Sequence, residues 1–428
     1  MNLLRPARLL LAASLALAVM ALVWLERQRS ADSTRPIEAR AKFAATPKSQ
    51  PASRAATGPD DSDRLLKHLR HRVEAGGGKE GEALLKFKSA QAMNAFLKRA
   101  QRQGVRVLGR LDGLRALRVG YDQLEQLRDA IGDDAEVVDD ISGNYLVKVP
   151  DFLQKEDRPG GVGSESFNGR GFLRAVHATG DRSTWGQGVT VAVVDTGVEN
   201  HPTFGDGQIT HYDLVNDGKP FDGHGTGMAS LIAGQDWQAP GIAPAAHILD
   251  VRVADGDGMS SSFKLAEGIV QAANAGAQVI NISLGSYGDS QVLRDAVAYA
   301  QSRGAVIVGA AGNDATSNLL AYPAAISTVV SVGGVDAKLN QAYFSNSGLG
   351  LDVTAPAVGI QSAYGKDSIV EGDGTSQATA IASGVLAAGI SSGATTSWGA
   401  ADWLKQNVLD LTLPPERGGT GMVQVPPK

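Results

Sequence analysis

Val189-Thr190-Val191-Ala192-Val193-Val194-Asp195-Thr196-Gly197 sets an apolar, β-branched run directly before a carboxylate and a glycine turn. A strand this apolar is covered on both faces, which is the habit of parallel sheets flanked by helices. Further buried strands read at residues 247–253, 278–283, 305–310 and 328–332, with helical patterns at 263–275 and 291–303 between them. Apolar strands alternating with helices give an α/β fold, a doubly wound and mostly parallel sheet. In such sheets reactive side chains stand just past the carboxyl ends of strands, where Asp195 and Asn313 fall.

The chain has 428 residues, enough for two or three folding units, and is 43% hydrophobic, enough for a large core. Only 5% of residues are aromatic while 52 are Gly, which suits close helix–strand packing better than a β-sandwich. There is no cysteine, so thiol catalysis, Cys-ligated zinc and disulfides are excluded. The net charge of −5 divides unevenly, about +5 over residues 1–169 and about −10 beyond. That split either draws two parts together or keeps one exposed domain soluble. Nothing in it points to nucleic acid.

Arg5 and Arg8 precede an uncharged run over residues 9–25, followed by Glu26, Arg27 and Arg29. Residues 1–29 therefore read as a signal peptide or signal anchor. The protein is expected to be exported, secreted or periplasmic, with membrane contact only through residues 9–25 where they stay uncleaved. Residues 30–80, with Pro36, Pro47, Pro51 and Pro59, read as a disordered linker.

Residues 81–150 change pattern. A strand at 83–88 precedes an amphipathic helix at 90–103, with Met93, Phe96, Leu97 and Ala100 on one face. Two strands, 105–111 and 114–119, flank Asp112-Gly113, a hairpin signal. A second helix over 121–131 ends at Gly132, and strand-like runs follow at 135–138 and 145–149. The order β-α-β-β-α-β is that of a small α+β ferredoxin-like domain, which has no function attached to it and a core small enough to need a partner surface. Residues 151–170, with Pro159, Gly160, Gly161 and Gly163, read as a flexible connector open to proteolysis. Residues 171–428 form the larger domain.

Gly372-Asp373-Gly374-Thr375-Ser376-Gln377-Ala378-Thr379-Ala380 opens a stretch of small and apolar residues that reads as one buried helix. A serine at its start gains from the positive end of the helix dipole, although Ser-Thr pairs there are also plain N-caps. His224 lies between glycines in Phe221-Asp222-Gly223-His224-Gly225-Thr226-Gly227-Met228-Ala229-Ser230. Asn313 lies in the turn Gly309-Ala310-Ala311-Gly312-Asn313-Asp314. Taken singly, Asp195 and Asn313 are ordinary turn residues and His224 a cap.

Together they are not. The segments VAVVDTGV, GHGTGMA, AAGN and GTSQAT resemble the subtilisin-like serine proteases, the subtilases, and the order Asp195, His224, Ser376 is that of the subtilisin triad. Residues 279–285, 322–324 and 353–356 also resemble family landmarks, so the resemblance covers about 171–410. It implies a serine endopeptidase that hydrolyses peptide bonds through an acyl-enzyme. Ser376 would attack, His224 would move the proton and Asp195 would orient the imidazole. The Asn313 amide and a backbone N–H at the helix start would form the oxyanion hole.

The resemblance further implies an extended peptide or protein substrate between Ser283-Leu284-Gly285 and the loop Asp255-Gly256-Asp257-Gly258. A first specificity pocket would be walled by Ser283, Leu284, Gly285, Ala310, Ala311 and Gly312, with Ala321 near its floor. With no charge evident there, a medium or large apolar residue is expected before the cut. Residues 81–150 would be a propeptide acting as an intramolecular inhibitor, and the zymogen would cut itself within 151–170. Three departures stand out: Gln377 and Ala380 replace the Met and Pro of many members, Gly227 replaces a second His, and the loop at 233–241 is short. That loop offers few oxygen ligands, so the family's usual calcium site is expected to be absent; no metal or cofactor is required, and calcium bound elsewhere stays open. Two other readings use the same residues: a membrane-tethered regulatory protease with one partner substrate, and an inactive subtilase-fold binding protein.

Overall fold

The computed structural model describes residues 65–67, 69–71, 77–150, 153, 155 and 158–426. The segment expected to direct export and most of the linker expected at 30–80 lie outside the described residues.

The smaller unit runs β1 (Gly78–Phe87), α1 (Ala90–Ala100), β2 (Arg106–Leu111), β3 (Ala116–Gly120), α2 (Leu124–Ile131) and β4 (Val138–Lys148). Its strands lie in the order β2-β3-β1-β4, every pairing antiparallel. Ser89 caps α1, its hydroxyl accepting from the Ala92 N–H at 3.1 Å. The apolar face of α1 then falls onto β1, with Phe96 tilted against Phe87 at 5.3 Å between ring centroids. Two expectations are corrected here. The runs at 135–138 and 145–149 are not two strands; β4 is continuous over 11 residues. The linker does not extend to residue 80: residues 65–67 and 69–71 are helical, and Leu66 and Leu69 are buried in the same core.

The larger unit begins with α3 (Gly171–Ala175) and β5 (Thr190–Asp195), then β6 (Ile209–Asp213), α4 (His224–Ala233), β7 (His247–Arg252), β8 (Met259–Ser261) and α5 (Ser262–Asn274). It continues with β9 (Val279–Ile282), α6 (Gln291–Ser302), β10 (Val306–Ala310), β11 (Val330–Val335), β12 (Val353–Pro356), β13 (Ile360–Tyr364), β14 (Ser368–Gly372) and α7 (Thr375–Ser391). Near the end come α8 (Ala400–Gln406), β15 (Val408–Leu409), α9 (Pro415–Gly418) and β16 (Met422–Val423). A nine-stranded sheet has the order β15-β16-β12-β11-β10-β9-β5-β7-β6, parallel except for the β15–β16 pair.

Alternation along β5 sends Val191 and Val193 into a core shared with α4 and α7, and Ala192 and Val194 into one shared with α5 and α6. The strand is thus buried on both faces, as its composition requires. Strand order reverses at β5, between β7 and β9, and the crevice at such a reversal opens at the carboxyl ends of the strands. Near the end of the chain, β16 joins the sheet edge through Thr354 and Met422.

The two units share a sheet. β8 pairs antiparallel with β4, Leu146 opposite Ser261 and Lys148 opposite Met259. Leu84, Leu111, Leu114 and Ala116 join Phe263 and Val292 in one core. The Lys86 ammonium bridges Asp139 at 3.2 Å and Asp295 of α6 at 2.5 Å. The connector is also fixed from residue 158 onward: Phe167 N–H donates to Val358 and Gly169 N–H to Gly359, both at 2.9 Å. A Cβ on Gly163 would come within 2.4 Å of the Gln341 carbonyl, so this glycine serves close backbone packing rather than flexibility.

Helix α7 is buried nearly all round, which makes its side chains the most sensitive in the fold. Leu386→Ala, in a Ser376→Ala background, is expected to lower unfolding free energy by about 2–5 kcal/mol, whereas Leu349→Ala at 89% exposure should stay within about 0.5 kcal/mol. Urea titration followed by fluorescence measures both.

Candidate active site

Asp195 closes β5 and is fully buried. A carboxylate there must find donors, because an unpaired charge in such a place is prohibitively costly. Its Oδ1 accepts from the Thr196 N–H at 2.8 Å and meets His224 Nδ1 at 2.8 Å. Oδ2 is buried without a hydrogen-bond partner among the described residues.

His224 is the first residue of α4, and two glycines bring it there. Gly223 caps the helix at φ 101, in the left-handed region that favours glycine. A Cβ on Gly225 would lie 2.5 Å from the Gly197 carbonyl, so only glycine lets the helix start abut the end of β5. Gly227 packs closely on the Ser362 side chain and the Ala363 carbonyl, where a Cβ would lie 3.2 and 3.1 Å from their oxygens. Burial pulls the His224 pKa down, but the charge of Asp195 and its hydrogen bond outweigh this, and the net direction is upward.

Ser376 is the second residue of α7 and only 2% exposed. Its hydroxyl donates to the Ser283 carbonyl at 3.1 Å. Beneath it runs a buried polar chain that the sequence did not reveal. Ser283 Oγ–H donates to the Ser376 carbonyl at 3.3 Å, Asn281 Nδ2–H to Ser283 Oγ at 3.0 Å, and Ser383 Oγ–H to Asn281 Oδ1 at 3.0 Å. Asn313 stands at the other side. Its Oδ1 accepts from the Thr375 N–H at 2.9 Å and the Thr375 hydroxyl at 2.7 Å. With the oxygen so held, the Nδ2 end lies toward Gly374, 3.2 Å from where a Cβ would be. The first N–H groups of α7 have no partners within the helix, so this corner presents donors to a developing anion.

The structure therefore brings Asp195 and His224 into contact, and Asn313 to the start of the helix that carries Ser376. Of the expected substrate segments, Gly285 lies in the crevice and exchanges backbone hydrogen bonds with Lys148 of the small unit at 3.1 and 3.2 Å. Val149 N–H donates to the Gly258 carbonyl at 2.9 Å, so the small unit meets this loop at Gly258. Leu284 is 2% exposed and packs into the core. Ala321 N–H donates to Ala311 at 2.9 Å, and its Cβ lies 3.0 Å from where a Cβ on Gly285 would be. Wall and floor of the expected pocket are thus adjacent. Sequence reasoning missed two side-chain groups beside them. Tyr287 bonds Asp314 and accepts from Asn346 at 2.7 Å, and Arg158 grips Asp373. Burial, then the Asp314 carboxylate, pushes the Tyr287 phenol above its usual range. Among the described residues no group of three or more His, Cys, Asp or Glu could hold a metal ion.

Residues 186–410 match the Subtilase family, peptidase S8. Subtilisin BL of Lederbergia lenta is 38% identical over 216 residues, 49% of this chain and 79% of its own length. Thermitase of Thermoactinomyces vulgaris is 40% identical over 207 residues, 47% of this chain and 74% of its own length. Among solved structures, fervidolysin from Fervidobacterium pennivorans, described as a keratinolytic enzyme related to subtilisin, aligns with a TM-score of 0.68 at 24% identity. That alignment covers 81% of this chain and 60% of fervidolysin, and at such identity it speaks for the fold alone. The family match and the two relatives carry the assignment further: the chain belongs to the subtilase family and is a subtilisin-type serine endopeptidase.

Proposed function

We propose that this protease works through an Asp195-His224-Ser376 triad and is made as an exported zymogen that cuts itself after Pro150. The observation that carries the reading is the path of the small unit's last strand. Residues 146–149 lie as a peptide between residues 258–261 on one side and Gly285 on the other. Val147 and Val149 are buried there, and the Tyr145 ring covers Gly288 so closely that a Cβ would sit 2.1 Å from it. An inhibitor and a substrate would occupy this crevice in the same way.

The antiparallel register supports the choice of bond. Lys148 lies opposite Gly285, and continuing that antiparallel pairing by two residues along each chain would set Pro150 opposite Ser283. Ser283 is the residue whose carbonyl accepts from the Ser376 hydroxyl. Proline has no N–H to compete for that carbonyl, and it is apolar and of medium size. In catalysis the Ser376 hydroxyl would turn from Ser283 to His224 Nε2, which takes its proton and returns it to the leaving amine. Asn313 Nδ2 and the Ser376 N–H would stabilise the oxyanion.

The small unit and the acidic large unit would hold together partly through Lys86 and Asp295. The same reading assigns no calcium to the loop at 233–241. There the Gln208 amide reaches the carbonyls of Ala233 and Pro244 at 2.9 Å and Ala246 at 3.1 Å. Export rests on the pattern of residues 1–29 alone.

Three measurements test the reading. The chain lacking residues 1–30 should split to give a fragment beginning at Asp151, while Ser376→Ala stays intact and takes no fluorophosphonate label; equal splitting of both would sink self-cleavage. Replacing Asn313 with Ala should lower kcat by about 100- to 1000-fold with KM little changed, a magnitude that comes from subtilisin. Because only neutral His224 accepts a proton and its pKa is raised, kcat/KM should climb with pH to a half-maximum above about 6.5. An acidic limb below that value contradicts the Asp195 pairing.

A further inference from the structure

We propose that Arg158 is a positioning residue for the nucleophile: its guanidinium balances the buried carboxylate of Asp373 and so holds the turn that feeds Ser376 into α7. The inference rests on the reading of Ser376 given above. Asp373 stands three residues before Ser376, and its side chain is 0% exposed; that of Arg158 is 9% exposed. Arg158 Nε–H donates to the two Asp373 oxygens at 3.0 and 2.8 Å, and Nη2–H donates to Oδ1 at 2.7 Å. The same Nη2 reaches Glu371 Oε1 at 3.0 Å.

Asp373 is a knot between several segments. Its Oδ1 also accepts from the Gly359 N–H at 2.8 Å, and its Oδ2 from the Tyr343 hydroxyl at 3.2 Å. Its own N–H donates to the Leu153 carbonyl at 3.0 Å, and the next residue, Gly374, donates to Ala357 at 2.9 Å. The carboxylate thus ties the hairpin of β13 and β14, the connector and the turn before α7 to one point.

Charge makes the arginine necessary. Negative charge develops on the substrate oxygen at the start of α7, and a bare carboxylate so near would oppose it where solvent screens poorly. A buried carboxylate stripped of its partner would also push its surroundings apart. Arg158 removes both effects, and its planar fork makes contacts that the point charge of lysine cannot reproduce. Its position in the chain has a corollary. Arg158 lies beyond Pro150 and is packed on the large unit, so a cut that preserves the clamp falls before it rather than anywhere in 151–170.

The test uses protein expressed as the full chain and allowed to mature, with the variants R158Q, R158K and R158Q/D373N, each titrated with a fluorophosphonate so that turnover is counted per reactive serine. R158Q should still label but lose about tenfold or more in kcat on a small chromogenic peptide, with KM within about threefold. R158K should fall between parent and R158Q. R158Q/D373N, which removes the charge the arginine balanced, should regain at least about threefold of the loss. A kcat for R158Q within about twofold of the parent, or a double variant no better than R158Q, overturns the proposal. Should R158Q fail to unfold cooperatively on heating, the double variant decides: folded, with kcat within about tenfold of the parent, it supports the clamp, and any other result overturns it. A parent chain that takes no label fails the nucleophile reading instead, and the same titration reveals it.

Discussion

A carboxylate at the end of an apolar strand has few ways to exist, and Asp195 restricts everything around it. It is fully buried, and its donors are the next residue's N–H and one imidazole nitrogen. Removing either would leave a charge in low dielectric, so the imidazole must reach it wherever the rest of the chain goes. That requirement sets α4 against the end of β5, and it admits no side chain at Gly225. The raised pKa of His224 follows from the same contact, so structural necessity and the basicity of the histidine have one cause.

The second anchor is α7, whose packing is apolar but whose first turn is polar. Asn281, Ser283 and Ser383 form a chain of hydrogen bonds below Ser376, and Asn313 fixes Thr375 from the side. Such a chain has direction: Ser383 donates to Asn281, Asn281 to Ser283 and Ser283 to the Ser376 carbonyl, so each link orients the next and the last holds the first turn of the helix. Arg158 and Asp373 complete the frame from a third side. Ser376 therefore stands where a helix start, a strand end and an ion pair meet.

Much of this was legible in the sequence. The four motif blocks name their residues because the glycines that permit close approach sit beside the groups that must approach. The β-α-β-β-α-β order was legible because hydrophobic periodicity reports which face is buried. What escaped depends on distance along the chain. Arg158 and Asp373 are separated by 215 positions, and a surface-type residue next to Pro-Gly gives no local sign of burial. The connector's glycines were read as freedom, yet Gly163 is there because its backbone touches another backbone. Leu66 and Leu69 were hidden in a polar stretch too short to show a period. Met422 and Val423 form a strand only because a sheet edge is waiting for them.

For a zymogen cut as proposed, the sheet shared by β4 and β8 changes what maturation means. While the chain is continuous, the small unit meets its crevice at the effective concentration of a tethered ligand, which for short linkers reaches the millimolar range, and dilution cannot loosen it. Breaking one bond removes no contact from the interface. It converts an intramolecular association into a bimolecular one, whose occupancy now depends on how much protein is present. On the reading proposed above, the first cut does not release activity by itself. It makes the enzyme sensitive to its own concentration, so that spreading into a larger volume becomes part of the switch.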